Sequence, residues 1–169
     1  MTELRTSARV VLLDDEGAVL LLCGSDPAIT AADAPRWWFT VGGRILPGEP
    51  LAQAAARELA EETGLRVSPD QLVGPVWRRE STINFNGAVM TSEEYYFVHR
   101  TRRFDPDTAD RTELELRYIH QHRWCDAAVI AEFEAIGQRV HPRQLVALLP
   151  EADRLADQGG FSGVIRPLD

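Results

Sequence analysis

Three glutamates near the middle of the chain are the residues whose spacing most clearly indicates chemistry. Glu58, Glu61 and Glu62 stand at positions i, i+3 and i+4, so an α-helix would carry all three on one face. Like charges this close destabilise each other, and a bound cation would remove that cost. Carboxylate oxygens are hard ligands, which favour Mg²⁺, Mn²⁺ or Ca²⁺. The alternative interpretation is a solvated acidic surface that binds no metal.

The residues around these glutamates favour the metal site over the solvated surface. Leu51, Ala55 and Leu59 recur at helical spacing and form an apolar stripe that would pack the helix on a sheet. Pro50 suits the first position of a helix, and Gly64 suits the left-handed residue just after its end. A helix is therefore predicted over residues 50–63.

Residues 43–65 resemble the Nudix box, G-x5-E-x7-R-E-U-x-E-E-x-G-U with U apolar, and match it at every defined position. The resemblance implies an α/β (α+β) fold, an α/β/α sandwich with a mixed central sheet, in which the box forms a loop, a helix and a loop. It also implies hydrolysis of a nucleoside diphosphate linked to another moiety, with Mg²⁺ or Mn²⁺ as cofactor. In that chemistry water attacks a phosphorus atom while divalent cations neutralise the oxygens. Val41 departs from the family, because many members have proline there.

The resemblance also implies roles for single residues of the box. It assigns metal ligands to four positions: the carbonyl of Gly43 and the carboxylates of Glu58, Glu61 and Glu62. Arg57 would orient these carboxylates, and Glu49 would support the loop that precedes the helix.

Two regions can supply the base that activates the attacking water. Glu58 lies on the predicted helix, and a helix holds a carboxylate more rigidly than a loop does. Glu113 and Glu115 lie at the end of a long polar segment, the kind of loop that often carries functional residues. The sequence favours Glu58, as the base or as a ligand of the metal that makes the nucleophile, and keeps the other two as alternatives.

Aromatic and basic residues close to the box are candidates for binding substrate. Trp37 and Trp38 can stack on a nucleobase, but side chains alternate along a strand, so at least one of them must face the core. Arg44 can hold a phosphate or be a surface charge. The short motifs that mark family subgroups are missing. Nucleoside triphosphates, nucleotide sugars and ADP-ribose-like compounds therefore remain equal candidates.

Hydrophobic runs and turn residues predict the remaining elements. Strands are predicted at 8–13, 18–23, 37–41, 71–78, 82–85, 95–100 and 116–125. Helices are predicted at 126–134 and 142–156, followed by an irregular end from residue 157. Glu93 and Glu94 could place one carboxylate inward, but a charge on an edge strand is the simpler interpretation.

Composition and charge restrict the classes of protein that fit. The chain of 169 residues suits one domain, residues 1–169. Its 18 basic and 26 acidic residues give a formal net charge of −8, which argues against binding to nucleic-acid polymers or anionic membranes. The N-terminal residues lack a signal-peptide pattern, and two cysteines cannot build a disulfide framework, so a cytoplasmic protein is predicted. The expected partner is a small nucleotide substrate, and a homodimer is left open.

The competing class is a Nudix-fold nucleotide sensor or regulator that binds without turnover. Such a protein would be expected to lose part of the box. Every acidic position of the box is present here. The sequence therefore favours the enzyme.

Overall fold

A mixed sheet of eight strands forms the centre of the protein in the computed structural model, which describes residues 3–158 and 161–168. The strands are β1 (Glu3–Leu13), β2 (Val19–Ser25), β3 (Arg36–Arg44), β4 (Val73–Phe85), β5 (Ala88–Arg100), β6 (Ile119–Cys125), β7 (Arg139–His141) and β8 (Arg166–Pro167). The helices are α1 (Leu51–Thr63), α2 (Glu113–Tyr118), α3 (Ala127–Ala135) and α4 (Leu145–Gln158), with a short 3₁₀ helix at Pro69–Gln71.

The sheet divides along β3. The strand order is β6-β2-β3-β1-β5-β4-β8, and β7 also pairs with β3. Residues Val41 to Arg44 of β3 pair antiparallel with β1, whereas residues Trp37 to Phe39 pair parallel with β7. Over its whole length β1 runs parallel to β5. A gap therefore opens between the first half of β3 and the β1–β5 pair.

Apolar side chains cover both faces of the sheet, as the sandwich requires. One cluster contains Leu12 and Phe97 from the strands with Ala55 and Leu59 of α1. The cluster on the opposite face includes residues of α3 and α4, among them Phe133. The predicted α/β/α sandwich with a mixed sheet is confirmed.

The helix predicted from the box is confirmed to within one residue. It spans Leu51–Thr63, and Gly64 caps it in the left-handed conformation at φ 80°, where its N–H bonds to the Ala60 carbonyl. The buried faces of Ala55 and Leu59 match the predicted apolar stripe.

The region predicted as one strand over 116–125 is partly wrong. Residues Glu113–Tyr118 form α2, and the strand begins only at Ile119. A reciprocal capping box between Thr112 and Glu115 stabilises the start of this short helix. Residues 73–78 and 82–85 of the two predicted strands belong to one long strand, β4, which begins two residues later than predicted.

The end of the chain is more regular than expected. Helix α4 continues to Gln158, and Arg166–Pro167 pairs parallel with β4. Residues 159, 160 and 169 of the predicted irregular end lie outside the described residues. None of the helices in the described part of the chain has the length and apolar character needed to cross a membrane.

Candidate active site

Glu62 is the most deeply buried carboxylate of the box. Its side chain has no exposed surface, because α1 packs directly on the sheet. One oxygen, Oε1, accepts a hydrogen bond of 2.7 Å from the backbone N–H of Gly42. The other, Oε2, is buried without a hydrogen-bond partner. A buried carboxylate oxygen in this state is costly unless a ligand satisfies it.

Glu58 and Glu115 lie beside Glu62 and complete a group of three buried carboxylates. One oxygen from each residue lies within 4.8 Å of the other two. The Glu58 carboxylate lies so close to Gly43 that a side chain there would place its Cβ 2.7 Å away. Glu115 is fixed by its capping box, in which Oε1 accepts from the N–H of Thr112 at 3.1 Å. We call these three residues the carboxylate cluster.

The electrostatics of the carboxylate cluster favour a bound cation. Burial raises the pKa of Glu62 well above its usual range, and the charge of Glu58 raises it further. Burial also raises the pKa of Glu58, against the opposing effect of Arg57. Three hard oxygen donors, one of them unsatisfied, are a set that suits Mg²⁺ or Mn²⁺. The residues present therefore fit the divalent metal that the box implies.

Arg57 binds groups in the loop before α1 and one carboxylate of the cluster. Its guanidinium donates to both oxygens of Glu49 at 2.9 Å and to Glu58 at 2.9 Å. It also donates to the carbonyl of Arg44 at 3.0 Å and lies 3.3 Å from Glu61. These carboxylates, Glu49 foremost, raise the pKa of Arg57 above its usual value. These contacts fix the positions of the Glu49 and Glu58 carboxylates relative to Arg57.

A large cavity opens beside the cluster, in the gap where the sheet divides. Its volume is about 800 Å³, and Gly42 forms part of its wall. Six arginines line it: Arg5, Arg9, Arg36, Arg79, Arg139 and Arg143. Its aromatic lining consists of Trp37, Phe39, Phe85 and Tyr118. A volume of this size is typical of small-molecule binding sites.

A buried polar network forms one wall of the cavity and reaches the cluster through the backbone. Glu94 accepts from Arg9 at 3.2 Å, from Arg79 at 2.8 Å and from the hydroxyl of Tyr96 at 2.9 Å. Arg9 also donates to the carbonyl of Gly42 at 3.0 Å. The interpretation of Glu94 as an edge-strand charge is wrong, because β5 lies between β1 and β4 and its carboxylate points inward.

The predicted site residues divide into those at the site and those outside it. Glu58, Glu62 and Glu115 come together, whereas Glu61 lies at the partly exposed edge beside Arg57. Glu113 is exposed at the start of α2. Of the two loop glutamates, only Glu115 therefore reaches the carboxylate cluster.

The predicted substrate residues are also separated. Trp37 is half-buried and lines the cavity. Trp38 lies in the core, stacked on Phe133 with ring centroids 4.0 Å apart, so its ring offers no face to a nucleobase. Arg44 is exposed, and its carbonyl is the group that binds Arg57.

The cavity arginines of β1 were not singled out from the sequence. Arg5, Ser7 and Arg9 alternate with Leu4, Thr6, Ala8 and Val10, which are mostly apolar. That alternation is the signal that one face of β1 borders a polar space.

Comparison with known proteins identifies the family. The NUDIX domain model matches residues 3–148, most of the chain. The chain therefore belongs to the Nudix family, as the box indicated. Family and fold together define its class, that of the Nudix hydrolases.

Solved structures share the fold over nearly the whole chain. A NUDIX hydrolase from Nitrosomonas europaea superposes with a TM-score of 0.59 and 26% identity, over 90% of this chain and 89% of that chain. The E. coli dihydroneopterin triphosphate pyrophosphohydrolase superposes with a TM-score of 0.58 and 20% identity, over 86% of this chain and 92% of that chain. The MutT protein from Methanosarcina mazei Go1 superposes with a TM-score of 0.57 and 17% identity, over 90% of this chain and 95% of that chain. At these identities the last two establish the fold alone.

Mg²⁺ is expected to raise the melting temperature, because it neutralises carboxylates that repel one another in the folded protein. Protons compete for the same oxygens. The pKa of Glu62 is higher in the folded protein than in the unfolded chain. The free energy of unfolding of the metal-free protein therefore falls as pH increases from the unfolded-state pKa through the folded-state pKa. The stabilisation by Mg²⁺ grows over the same pH range. Thermal melts at millimolar Mg²⁺ and several pH values check this.

Glu62→Gln is the matched variant for these melts. The amide keeps an oxygen for the Gly42 N–H and removes one charge, so the metal-free variant should melt higher than the wild type and gain less from Mg²⁺. A melting temperature that does not respond to Mg²⁺ in the wild type would contradict the metal site.

Proposed function

We propose that the protein is an Mg²⁺- or Mn²⁺-dependent hydrolase that cleaves the pyrophosphate bond of a nucleoside diphosphate linked to another moiety. The observation that carries this proposal is that the cluster of Glu58, Glu62 and Glu115 lies next to an arginine-lined cavity, since Gly42 both lines the cavity and donates its N–H to Glu62. Carboxylates would hold the cation, and the neighbouring guanidiniums would attract a phosphate chain. The substrates that fit are nucleoside triphosphates, nucleotide sugars and ADP-ribose-like compounds.

Arg5 is the arginine best suited to hold a phosphate of the scissile group. Its Nε is buried without a hydrogen-bond partner, although the residue borders the cavity. Burial lowers the pKa of Arg5, and the positive charge of Arg9 lowers it further. A bound phosphate would supply both the missing acceptor and the missing negative charge.

The aromatic lining supports a nucleoside in the same cavity. Tyr118 lies 5.4 Å from Phe85 and 6.3 Å from Phe39, measured between ring centroids. Together with Trp37 these rings form apolar walls next to charged groups. A nucleobase is a flat group that stacks on such side chains, while its phosphates remain near the arginines.

The chain's own residues then have distinct tasks. Glu58, Glu62 and Glu115 would hold the divalent cation, which when bound acidifies water and neutralises phosphate charge. Arg57 keeps Glu58 in place. Glu58 is our candidate for the base that takes the proton of the attacking water, with Glu115 as its competitor. We place the enzyme in the cytoplasm, acting on small nucleotides.

The test is hydrolysis of a panel of nucleoside triphosphates, nucleotide sugars and ADP-ribose with Mg²⁺ or Mn²⁺, followed by product analysis. We expect at least one compound to be cleaved within its diphosphate, so that both products carry phosphate. Tight binding of a nucleotide with no turnover across the panel would instead indicate a sensor.

A further inference from the structure

The cavity has a second basic region at the end opposite the carboxylate cluster. Arg36 begins β3, and Arg139 lies beside Trp37 in the β3–β7 pair. Arg143 follows β7 by two residues. All three side chains line the cavity and reach solvent at its rim. We call these residues the distal arginines.

Arg36 and Arg139 lie too far from the cluster to share its phosphates. Trp37, the partner of Arg139, and Gly43, which contacts Glu58, are six residues apart on one strand. At the rise of an extended strand this is roughly 20 Å. A diphosphate spans only a small part of that length. Allowing for the reach of an arginine side chain, the remaining distance suits a nucleoside between two anionic groups.

The charge of the distal arginines is not balanced by the protein. Among residues 3–158 and 161–168, none of the three guanidiniums forms an ion pair with a carboxylate. The chain nevertheless carries 26 acidic residues against 18 basic ones. Three arginines without a carboxylate partner at one end of a cavity therefore produce a local positive field in an acidic protein.

His141 lies within this positive field, which affects its pKa. Its side chain is half-buried beside Arg79, with Nδ1 3.4 Å from the guanidinium. Burial is the main cause that lowers its pKa to about 4; the charges of Arg79, Arg143 and Arg139 act in the same direction, and that of Glu94 opposes them. His141 is thus neutral at pH 7, and the region's positive charge comes from arginine alone.

We propose that the distal arginines form a second anion site, which selects nucleotides that carry a further phosphate on the 2′ or 3′ position of the nucleoside. This proposal rests on the proposed function, because it assumes that the 5′-phosphate end lies at the carboxylate cluster. The organic part of the substrate spans the aromatic walls, and its additional phosphate reaches Arg139 and Arg143.

Binding of matched nucleotides tests the second site without turnover. Affinities are measured by calorimetry with Mg²⁺ for AMP, adenosine 2′,5′-bisphosphate and adenosine 3′,5′-bisphosphate, and for the guanosine counterparts. At least one bisphosphate should bind about tenfold or more tightly than its monophosphate, since a charge-assisted contact contributes that much. The ratio should fall as salt rises, because the arginines are exposed.

The double variant Arg139→Ala/Arg143→Ala should reduce this ratio towards one. Arg154→Ala, an exposed position on α4 outside the cavity, is the matched control and should keep the ratio. Equal affinity for mono- and bisphosphates, no binding of any of them, or a ratio that survives the double variant would overturn the second site.

The failure of this proposal is distinguishable from failure of the proposed function. If the bisphosphates bind more tightly but no diphosphate is cleaved, the second site stands and the hydrolase proposal fails. If diphosphates are cleaved with metal while the ratio is one, the hydrolase stands and the second site fails.

Discussion

Glu58→Gln is expected to lower kcat by roughly 10²–10⁴-fold, the usual cost of losing a positioned base or the ligand of a nucleophile-generating metal. The carboxylate is held against Gly43 and bonded to Arg57 at 2.9 Å, on a helix that packs rigidly on the sheet. The amide keeps the shape of the side chain and removes its ability to accept the proton. Initial rates at saturating Mg²⁺ provide the measurement.

Two further variants decide between Glu58 and the loop. Glu113→Gln is the control, because that side chain is exposed and outside the cluster, and its kcat should stay near the wild-type value. Glu115→Gln should lose activity, but less than Glu58→Gln. If Glu115→Gln loses more while its melting temperature still responds normally to Mg²⁺, Glu115 is the base and our assignment is wrong.

Gly43→Ala is expected to abolish most activity while leaving the fold intact. The new Cβ would lie 2.7 Å from the carboxylate of Glu58, the end of a flexible side chain that can move away. Displacing a catalytic group by about 1 Å can cost about 10²-fold in rate. We therefore expect a loss of that order in kcat/KM, with a small change in melting temperature.

Gly42→Ala supplies the contrast for this experiment. Gly42 has φ 141°, and a Cβ there would lie 2.2 Å from the backbone carbonyl of Ala8, which cannot move without disrupting the β1–β3 pairing. This variant should lose stability as well as activity. If Gly43→Ala retained full activity, the close contact between residue 43 and Glu58 would not matter for catalysis.

The sequence was most informative where local pattern and chemistry coincide. The box helix is predictable because its apolar stripe, its terminal residues and its acidic face all follow from positions close together in the chain. The same local information identifies Glu58 and Glu62 as neighbours and Arg57 as the partner of Glu58. These contacts span at most one or two helical turns, so no tertiary information is needed.

The remaining features depend on contacts between distant segments. Glu115 joins the cluster from a helix more than fifty residues away, and Glu94 is buried because β5 lies inside the sheet. The short α2 was missed although Thr112 and Glu115 form a capping-box pattern, because the apolar residues after it suggested a strand. The cavity itself follows from the division of the sheet at β3, which pairing partners alone decide.

Metal dependence of hydrolysis in the wild type and in Glu62→Gln is the most direct test of the carboxylate cluster as a metal-dependent hydrolytic site. Rates are measured with a nucleoside diphosphate derivative that the enzyme hydrolyses, while Mg²⁺ is titrated into chelator-treated protein. We expect no hydrolysis without metal, saturation in the wild type, and a higher Mg²⁺ requirement with a lower maximal rate in Glu62→Gln, whose unsatisfied oxygen is gone. Hydrolysis that persists in excess chelator, or a Mg²⁺ titration that the substitution leaves unchanged, would contradict the assignment of the carboxylate cluster as a metal-dependent hydrolytic site.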